Sequence, residues 1–183
     1  MTRQVLVVCT ANVCRSPMGA VLLQRTLANA GLPITVASAG VRASEHSLPV
    51  DPLAVEAMAR RGLDIAAHQP TQVTPAMVAA ADLVLTMTRH DLREVVVASP
   101  DGFAKTFTVK QVIRRSAEVR CEPGWESWLT ALNQGRTTRD LIAHQPADDI
   151  PDPYGRPLAE HLACADELAT CADQLALVLS VHI

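Results

Sequence analysis

The sequence predicts an α/β fold: a single domain with an open, mostly parallel four-stranded sheet and helices on both faces. Short apolar runs rich in β-branched residues alternate along the chain with longer segments that carry apolar residues at helical spacing. Such alternation is typical of parallel sheets covered by crossover helices. A length of 183 residues and a hydrophobic content of 49% suit one domain with a substantial core.

The predicted elements follow one another in a regular order. Strands are predicted at residues 4–8, 33–37, 82–87 and 105–109, and helices at residues 16–31, 51–63, 89–98, 110–119, 125–132 and 158–179. At the first helix, Ser16 is expected to be the N-cap and Pro17 the first helical residue. Asp51 is expected to cap the second helix. Ligands of open parallel sheets bind beyond the carboxyl ends of the strands, so the turn at residues 9–16 is the first place to seek a site.

Composition and charge argue against several classes of function. The formal net charge of −3 gives no electrostatic case for nucleic acid or an anionic membrane surface as a partner. The longest apolar runs, such as residues 95–98, are far too short to be inserted in a membrane, and the N-terminus lacks the architecture of a signal peptide. Five cysteines form no recognisable disulfide framework. We therefore expect a reducing, cytoplasmic location.

The turn at residues 9–16 has the sequence Cys-Thr-Ala-Asn-Val-Cys-Arg-Ser, a pattern suited to phosphoryl chemistry. A loop between a strand and a helix N-terminus can turn successive backbone N–H groups inward and form an anion site. The helix dipole adds partial positive charge at the same point. Arg15 can hold two phosphate oxygens with its bidentate fork. The turn therefore predicts a phosphate-binding loop.

Cys9 is the candidate nucleophile of this loop. Helix N-termini and nearby cations lower a cysteine pKa to about 3.5–7.5, and Ser16 can donate a hydrogen bond to the thiolate. The sequence therefore predicts that Cys9 titrates below neutral pH. A cysteine at a strand end is otherwise often a small buried hydrophobe, and a Cys-x5-Arg spacing also arises by chance. The position between a strand and a helix start favours the reactive role.

Residues 5–20, VLVVCTANVCRSPMGA, resemble the opening of the low-molecular-weight protein tyrosine phosphatases, as found in bacterial members. Three later segments agree in order and spacing: residues 38–40 (Ser-Ala-Gly) with 51–52 (Asp-Pro), residues 82–87, and residues 149–154 (DIPDPY). The resemblance covers nearly the whole chain. It implies one phosphatase domain over residues 1–183, with an expanded segment at about residues 110–147.

The resemblance also implies roles for individual residues. Cys9 would be the nucleophile, Arg15 the phosphate clamp, and Asp152 the general acid that later acts as base. The phosphate-binding loop would comprise Thr10, Ala11, Asn12, Val13, Cys14, Arg15 and Ser16. A supporting polar network would comprise Asn12, Ser16, Ser38 and His68, and the substrate cleft would be bordered by Thr10, Ser44 and Tyr154. Cys14 matches a second cysteine that can form a disulfide with Cys9 and shield it from over-oxidation.

Two of these assignments have ordinary alternatives when their local sequence is taken alone. The segment from Asp152 to Gly155 has the composition of a surface turn. His68 follows an amphipathic helix and has the local pattern of a surface histidine or a hydrogen-bonded core histidine. The presence of the cysteine loop favours the functional interpretation of Asp152, whereas His68 depends on the resemblance alone.

The substrate implied by the resemblance is a phosphorylated protein, with phosphotyrosine favoured. Val13 is apolar and β-branched, as in the tyrosine-directed members, whereas the related arginine-phosphate phosphatases tend to have Thr there. Ser44 and Gly155 stand where other members often have aromatic residues, and aromatic residues make up only 3% of the chain. These departures predict a more open pocket. Analogy with bacterial members suggests a tyrosine kinase as the partner.

Two other functions are compatible with the sequence. A thioredoxin-coupled arsenate reductase shares this scaffold but needs a resolving cysteine pair. Cys164 and Cys171 lie two helical turns apart, about 10 Å along the axis, and are better explained as core residues. A non-catalytic phospho-ligand binder would use a docking surface of Trp125, Trp128, Arg114, Arg115, Arg120, Arg136 and Arg139, although a solvated basic face beside two packed tryptophans explains these residues better. The mechanism needs no cofactor, and no metal-ligand cluster stands out among the six histidines.

Overall fold

A computed structural model describes residues 2–46, 48–142 and 145–183. Four strands form one sheet: β1 (Arg3–Cys9), β2 (Ile34–Gly40), β3 (Leu83–Thr86) and β4 (Thr106–Thr108). All neighbouring strands pair in parallel, in the order β2-β1-β3-β4. This arrangement confirms the predicted four-stranded parallel sheet, with each strand within a few residues of its predicted position.

Helices connect and follow the strands. They are α1 (Arg15–Asn29), α2 (Ala43–His46), α3 (Pro52–Ala59), α4 (Pro75–Ala80), α5 (Arg89–Ala98), α6 (Val109–Glu118), α7 (Trp125–Asn133) and α8 (Leu158–His182). Short 3-10 helices cover Pro100–Lys105, Thr138–Leu141 and Pro146–Asp148. Within the described residues, no helix combines the length and the apolar character needed to cross a membrane.

The core lies on both faces of the sheet because successive strand side chains point in opposite directions. Val5 and Val7 of β1 belong to the larger apolar cluster, which also includes residues of α1, α3, α6 and α8. Leu6 and Val8 belong to a second cluster with Val78 of α4 and Val95 of α5. The prediction of helices on both faces is therefore confirmed.

The strand order places the functional loop at the topological switch point. β1 and β3 are neighbours, and the connection that follows β1 leads to β2 on one side whereas the connection that follows β3 leads to β4 on the other. A crevice opens at such a point in doubly wound folds. Cys9, the last residue of β1, lies at this edge and pairs in register with Gly40 at the end of β2.

Two predictions at helix ends had different outcomes. The Asp51 carboxylate accepts hydrogen bonds from the backbone of Leu53 and Ala54, which confirms it as the cap of α3. The prediction that Ser16 caps α1 was wrong, since Cys14 occupies the N-cap position and the helix begins at Arg15. The Ser16 hydroxyl turns inward to the loop instead.

The sequence also missed α4, whose six residues are too few to show a helical period.

The expanded segment packs against the body of the protein, with residues 143 and 144 outside the described part. Trp125 and Trp128 of α7 are buried, and the Trp128 indole donates to the Ser116 hydroxyl at 3.0 Å. Arg136 lies over the Phe107 ring at 3.9 Å, and Arg115 donates to the carbonyl of Leu132. Because both tryptophans are packed inside, they do not form an exposed docking surface.

Candidate active site

The thiol of Cys9 lies at the base of the loop that joins β1 to α1. Its side chain is buried, with 3% of the residue exposed. Cys9 Sγ lies 2.9 Å from the Ser16 hydroxyl, and the backbone N–H of Asn12 donates to it at 3.2 Å. Both contacts stabilise a negatively charged sulfur relative to a neutral one.

The loop around this thiol offers donors without protein acceptors. Among the described residues, the backbone N–H groups of Ala11, Val13 and Cys14 donate to no protein atom. Arg15 is buried and lines the same pocket, and its Nε is also without a hydrogen-bond partner there. Buried donors without acceptors are rare in folded proteins. A phosphate group in the pocket would supply the missing acceptor oxygens.

Asp152 contacts the loop from the opposite side of the pocket. Arg15 Nη2 lies 2.5 Å from Asp152 Oδ2, although the two residues are 137 positions apart. The other Asp152 oxygen accepts from the Tyr154 backbone at 3.2 Å. The structure therefore brings together the three residues that the sequence analysis assigned as nucleophile, clamp and acid.

Asn12 shapes the loop with all of its amide atoms. It has φ of 59°, and it is the only non-glycine residue among those described with a positive φ. Its Nδ2 donates to the hydroxyls of Ser16 and Ser38, at 2.8 and 3.0 Å. Its Oδ1 accepts from the Thr71 backbone at 2.9 Å and lies 3.1 Å from His68 Nε2. The four predicted network residues thus meet at one point, and Thr71 joins them.

His68 supports the loop as a neutral donor. Its Nε2 lies 3.0 Å from the Asn12 carbonyl as well as 3.1 Å from the Asn12 Oδ1. Both partners can only accept, so Nε2 carries a proton. Burial lowers the pKa of His68, which favours the uncharged ring.

Gly40 permits the loop to approach β2 closely. A Cβ at this position would lie 2.8 Å from the Thr10 carbonyl oxygen and 2.9 Å from the Asn12 nitrogen. Both neighbours are backbone atoms of the loop; the Thr10 carbonyl also accepts from the Arg42 N–H at 2.8 Å, and the Asn12 N–H donates to Cys9 Sγ at 3.2 Å. Any side chain at position 40 would therefore displace the loop.

A buried carboxylate lies beneath the loop. Asp91 of α5 accepts from the Thr10 hydroxyl at 3.0 Å and from the Thr88 hydroxyl at 2.8 Å. Thr10 in turn accepts from Arg15 at 3.3 Å, so Asp91 reaches the clamp through one intermediate. Burial raises the pKa of Asp91, and the Arg15 guanidinium lowers it. Nothing in the local sequence of α5 indicated this contact.

The electrostatics of Cys9 differ from the sequence-based prediction. Burial raises the pKa of its thiol, while the Arg15 guanidinium and the Ser16 hydroxyl act in the opposite direction. The direction is upward because the strand end is fully enclosed, which the Cys-x5-Arg spacing does not reveal. The prediction of a pKa below neutral is therefore not supported by the structure.

The pocket above Cys9 has a volume of about 210 Å³ and largely apolar walls. Val13, Leu48 and Tyr154 line it, and Tyr154 is about half exposed at its mouth. Thr10 also lines it, as predicted. Ser44 does not. It is exposed, donates to Gln72 Oε1, and lines an adjoining groove that shares Leu48 with the pocket.

The remaining cysteines do not form a redox pair. All five cysteines are free thiols, so the Cys9–Cys14 disulfide implied by the resemblance stays a prediction. Cys164 and Cys171 are buried on α8 within the main apolar cluster. Burial raises their pKa values to about 12 and about 11. Their surroundings fit core residues and not a resolving pair for arsenate reduction.

Comparison with known proteins agrees with this geometry. Residues 4–122 match the family model of the low molecular weight phosphotyrosine protein phosphatases. A probable low molecular weight protein-tyrosine-phosphatase, EpsP of Ralstonia solanacearum, is 38% identical over 112 residues, covering 61% of this chain and 74% of the relative. A protein-arginine-phosphatase of Geobacillus stearothermophilus is 33% identical over 177 residues, covering 96% of this chain and 95% of the relative.

A solved structure extends the match to the whole fold. The crystal structure of a YwlE mutant from Bacillus subtilis superposes with a TM-score of 0.76 at 27% identity. The superposition covers 98% of this chain and 99% of that one. The similarity therefore includes α8 and the segment that carries Asp152, which lie beyond the residues matched by the family model.

Proposed function

The chain belongs to the low molecular weight phosphotyrosine protein phosphatase family, and we propose that it hydrolyses phosphotyrosine in proteins through a phosphocysteine on Cys9. Family membership makes it a phosphatase that acts on phosphorylated proteins. The observation that carries the assignment of residues is the convergence of Cys9, Arg15 and Asp152 on one pocket. Each of the three chemical roles of phosphoryl transfer has a candidate there.

In the first step, the Cys9 thiolate attacks phosphorus and the bond to the tyrosine oxygen breaks. The free loop N–H groups and the Arg15 guanidinium are placed to stabilise the equatorial oxygens as charge develops on them. These donors are held in position before substrate arrives, by Asn12 and by the close packing against Gly40. Pre-organised donors of this kind are usually the largest single source of transition-state stabilisation.

Asp152 handles the proton in both steps. In its acid form it protonates the leaving phenolate, and as a carboxylate it then takes a proton from the water that attacks the phosphocysteine. The second step releases inorganic phosphate and restores the Cys9 thiolate. Phosphate oxygens compete with Asp152 for Arg15, so substrate binding frees the carboxyl group to face the leaving oxygen.

The pocket walls favour a phenyl ring as the group that carries the phosphate. Val13, Leu48 and Tyr154 offer apolar surface on which an aromatic ring can pack. Phosphoarginine is the second candidate, because the relative matched over nearly the whole chain is a protein-arginine-phosphatase. Its guanidine N–H groups need acceptors that Val13 does not provide, so we expect phosphotyrosine to be the better substrate.

We also propose a cytoplasmic location and a tyrosine kinase as the natural source of substrate. The five free thiols support a reducing compartment. Support for the kinase comes from membership of a phosphotyrosine phosphatase family and from similarity to a probable protein-tyrosine-phosphatase, since such substrates are products of tyrosine kinases.

The experiment has two parts. Hydrolysis of p-nitrophenyl phosphate with EDTA present is expected for the wild type and is expected to be abolished in Cys9→Ser. The values of kcat/KM are then compared for matched phosphotyrosine and phosphoarginine peptides, in the wild type and in Val13→Thr. We expect the wild type to have a higher kcat/KM for the phosphotyrosine peptide, and we expect the ratio of the two kcat/KM values to be smaller in Val13→Thr. Equal rates in Cys9→Ser would refute the cysteine mechanism, and a wild-type preference for phosphoarginine would refute the substrate assignment alone.

A further inference from the structure

Behind the phosphate-binding loop, three potential metal ligands converge. They are the thiol of Cys14, the carboxylate of Asp51 and the imidazole of His161, and their ligand atoms all lie within 4.8 Å of one another. They come from three separate elements: the loop itself, the N-cap of α3 and the first turns of α8. The proposed mechanism uses none of the three side chains.

The tautomer of His161 is set by its surroundings. The residue is fully buried, and its Nδ1 lies 3.3 Å from the carbonyl oxygen of Pro157. A carbonyl can only accept, so Nδ1 carries a proton, and in the neutral ring Nε2 then presents a lone pair. Among the described residues, that Nε2 has no hydrogen-bond partner. It lies 3.4 Å from Asp51 Oδ1, which is also an electron-pair donor.

The Asp51 side of the cluster is held rigidly. Its Oδ1 accepts from the backbone N–H groups of Leu53 and Ala54 at 2.7 and 3.2 Å, as the N-cap of α3. The third member, Cys14, is 2% exposed. Asp51 repels negative charge on its sulfur, and burial raises the pKa of its thiol. Three groups that bind cations therefore face one another, and a cation between them would remove the repulsion of their lone pairs.

We propose that Cys14, Asp51 and His161 form a zinc-binding site behind the phosphate-binding loop. A sulfur, nitrogen and oxygen donor set is characteristic of Zn²⁺. The 3.4 Å between His161 Nε2 and Asp51 Oδ1 is already the separation of two ligands at about 2.0–2.2 Å from a tetrahedral ion. On binding, Cys14 loses its proton to solvent and forms the Zn–S bond. A water from the pocket, which Cys14 also lines, completes the four ligands.

Two consequences follow for the loop. The metal would link the loop to α3 and α8, and so stabilise the folded protein in proportion to zinc concentration. It would also engage the Cys14 thiolate, which removes that sulfur from any disulfide with Cys9. The site does not depend on the proposed phosphatase reaction, and its test requires no turnover.

The test is metal binding by the whole chain after removal of metals with EDTA. Co²⁺ is titrated into the reduced protein without oxygen, and the thiolate-to-cobalt charge-transfer band is followed. We expect one Co²⁺ per chain, displaced by one Zn²⁺, and retention of the band in Cys9→Ala. His161→Gln and Asp51→Asn are each expected to lose at least about 100-fold in Zn²⁺ affinity, since even second-shell changes cost 10–100-fold. Asn also caps helices, so Asp51→Asn should remain folded.

Matched controls are His90→Gln, an exposed histidine on α5, and Cys171→Ser, a buried cysteine elsewhere on α8. Both are expected to bind Co²⁺ as the wild type does. Loss of the band in Cys9→Ala, with retention in His161→Gln, would overturn the proposal by placing the metal on the nucleophile. Absence of a thiolate band in the wild type would also overturn it.

Discussion

The two segments that meet at Arg15 are held in very different ways. The loop at residues 9–16 is largely buried, and the side-chain amide of Asn12 ties it to Ser38, His68 and Thr71 on other segments. The segment around Asp152 has no regular secondary structure, and the Asp152 side chain is 46% exposed. Its carboxylate contacts the loop through Arg15 alone among the described contacts. The proposed nucleophile, Cys9, is thus held in place before substrate binds, whereas the proposed acid, Asp152, is held by an ion pair with Arg15 for which the substrate phosphate would compete.

Because of this difference, substitutions in the two segments should change the rates of different substrates in different ways. Damage to the loop should impair every substrate alike, since donors to the phosphoryl oxygens serve all substrates. Damage to the acid should depend on how much the leaving oxygen needs a proton. The expectations below run from the largest effect to the smallest.

Asp152→Ala should give the largest selective loss. For a phosphotyrosine peptide, whose leaving oxygen is basic, we expect kcat/KM to fall by about 10²–10⁴, the usual value of acid–base assistance. For p-nitrophenyl phosphate, whose leaving group is stable without a proton, the loss in kcat/KM should be far smaller. Steady-state kinetics over a series of aryl phosphates checks whether the loss in kcat/KM grows with the basicity of the leaving oxygen. Glu160→Ala, which removes an exposed carboxylate of α8, is the control. Equal losses across the series would contradict the role of Asp152 as acid.

Gly40→Ala should give a large loss without selectivity. The added Cβ would meet the loop backbone at 2.8–2.9 Å, and the loop must shift to accommodate it. A displacement on the order of 1 Å near a reacting centre can cost about 10²-fold in rate. We expect such a loss in kcat/KM for all aryl phosphates of the series, with a normal far-ultraviolet circular dichroism spectrum. A loss confined to basic leaving groups would show that Gly40 acts on the acid instead.

Asn12→Ala tests the support of the loop through stability. It removes a buried amide and with it one hydrogen-bond partner each of Ser16, Ser38, His68 and Thr71. We expect the free energy of unfolding to fall by about 1–3 kcal/mol in urea titrations. Asn29→Ala, at the exposed end of α1, should change it by less than about 0.5 kcal/mol. Similar values for the two variants would show that the network adds no stability.

The smallest expected effects concern the ionisation of Cys9. Ser16→Ala removes a hydrogen bond that lowers the pKa of the thiol, so the midpoint of thiol alkylation should move to higher pH. Asp91→Asn removes a negative charge that raises the same pKa, so the midpoint should move to lower pH. Alkylation rates against pH, in a Cys14→Ser background to isolate Cys9, check both signs. Shifts in the same direction for the two variants would be inconsistent with this electrostatic arrangement.

Much of the fold was predictable because its signals are local. Apolar runs and helical spacing located all four strands and most of the long helices, and the α5 boundaries at Arg89 and Ala98 agreed. The Ser16 cap was wrong because its hydroxyl is used by Asn12 and Cys9, which no local pattern shows. The helix α4 is too short for a period to appear.

The site was predictable only where one segment carries several functional residues. Residues 9–16 do so, and the resemblance supplied Asp152. Asp91 and Leu48 reach the site from other elements, and single residues of ordinary type leave no signal in sequence. The same reason hid the cluster of Cys14, Asp51 and His161, whose members lie on three elements.

The most direct test of the central claim is detection of the phosphocysteine itself. Asp152→Ala is mixed with p-nitrophenyl phosphate, quenched rapidly and digested, and the peptide that contains Cys9 is weighed by mass spectrometry. Without the base the intermediate should accumulate, because formation with this leaving group needs little acid help while hydrolysis still needs a base. We expect one phosphoryl group on the Cys9 peptide, and none when Cys9→Ala is added to the same variant. Phosphate on another residue, or turnover that survives Cys9→Ala, would contradict the account.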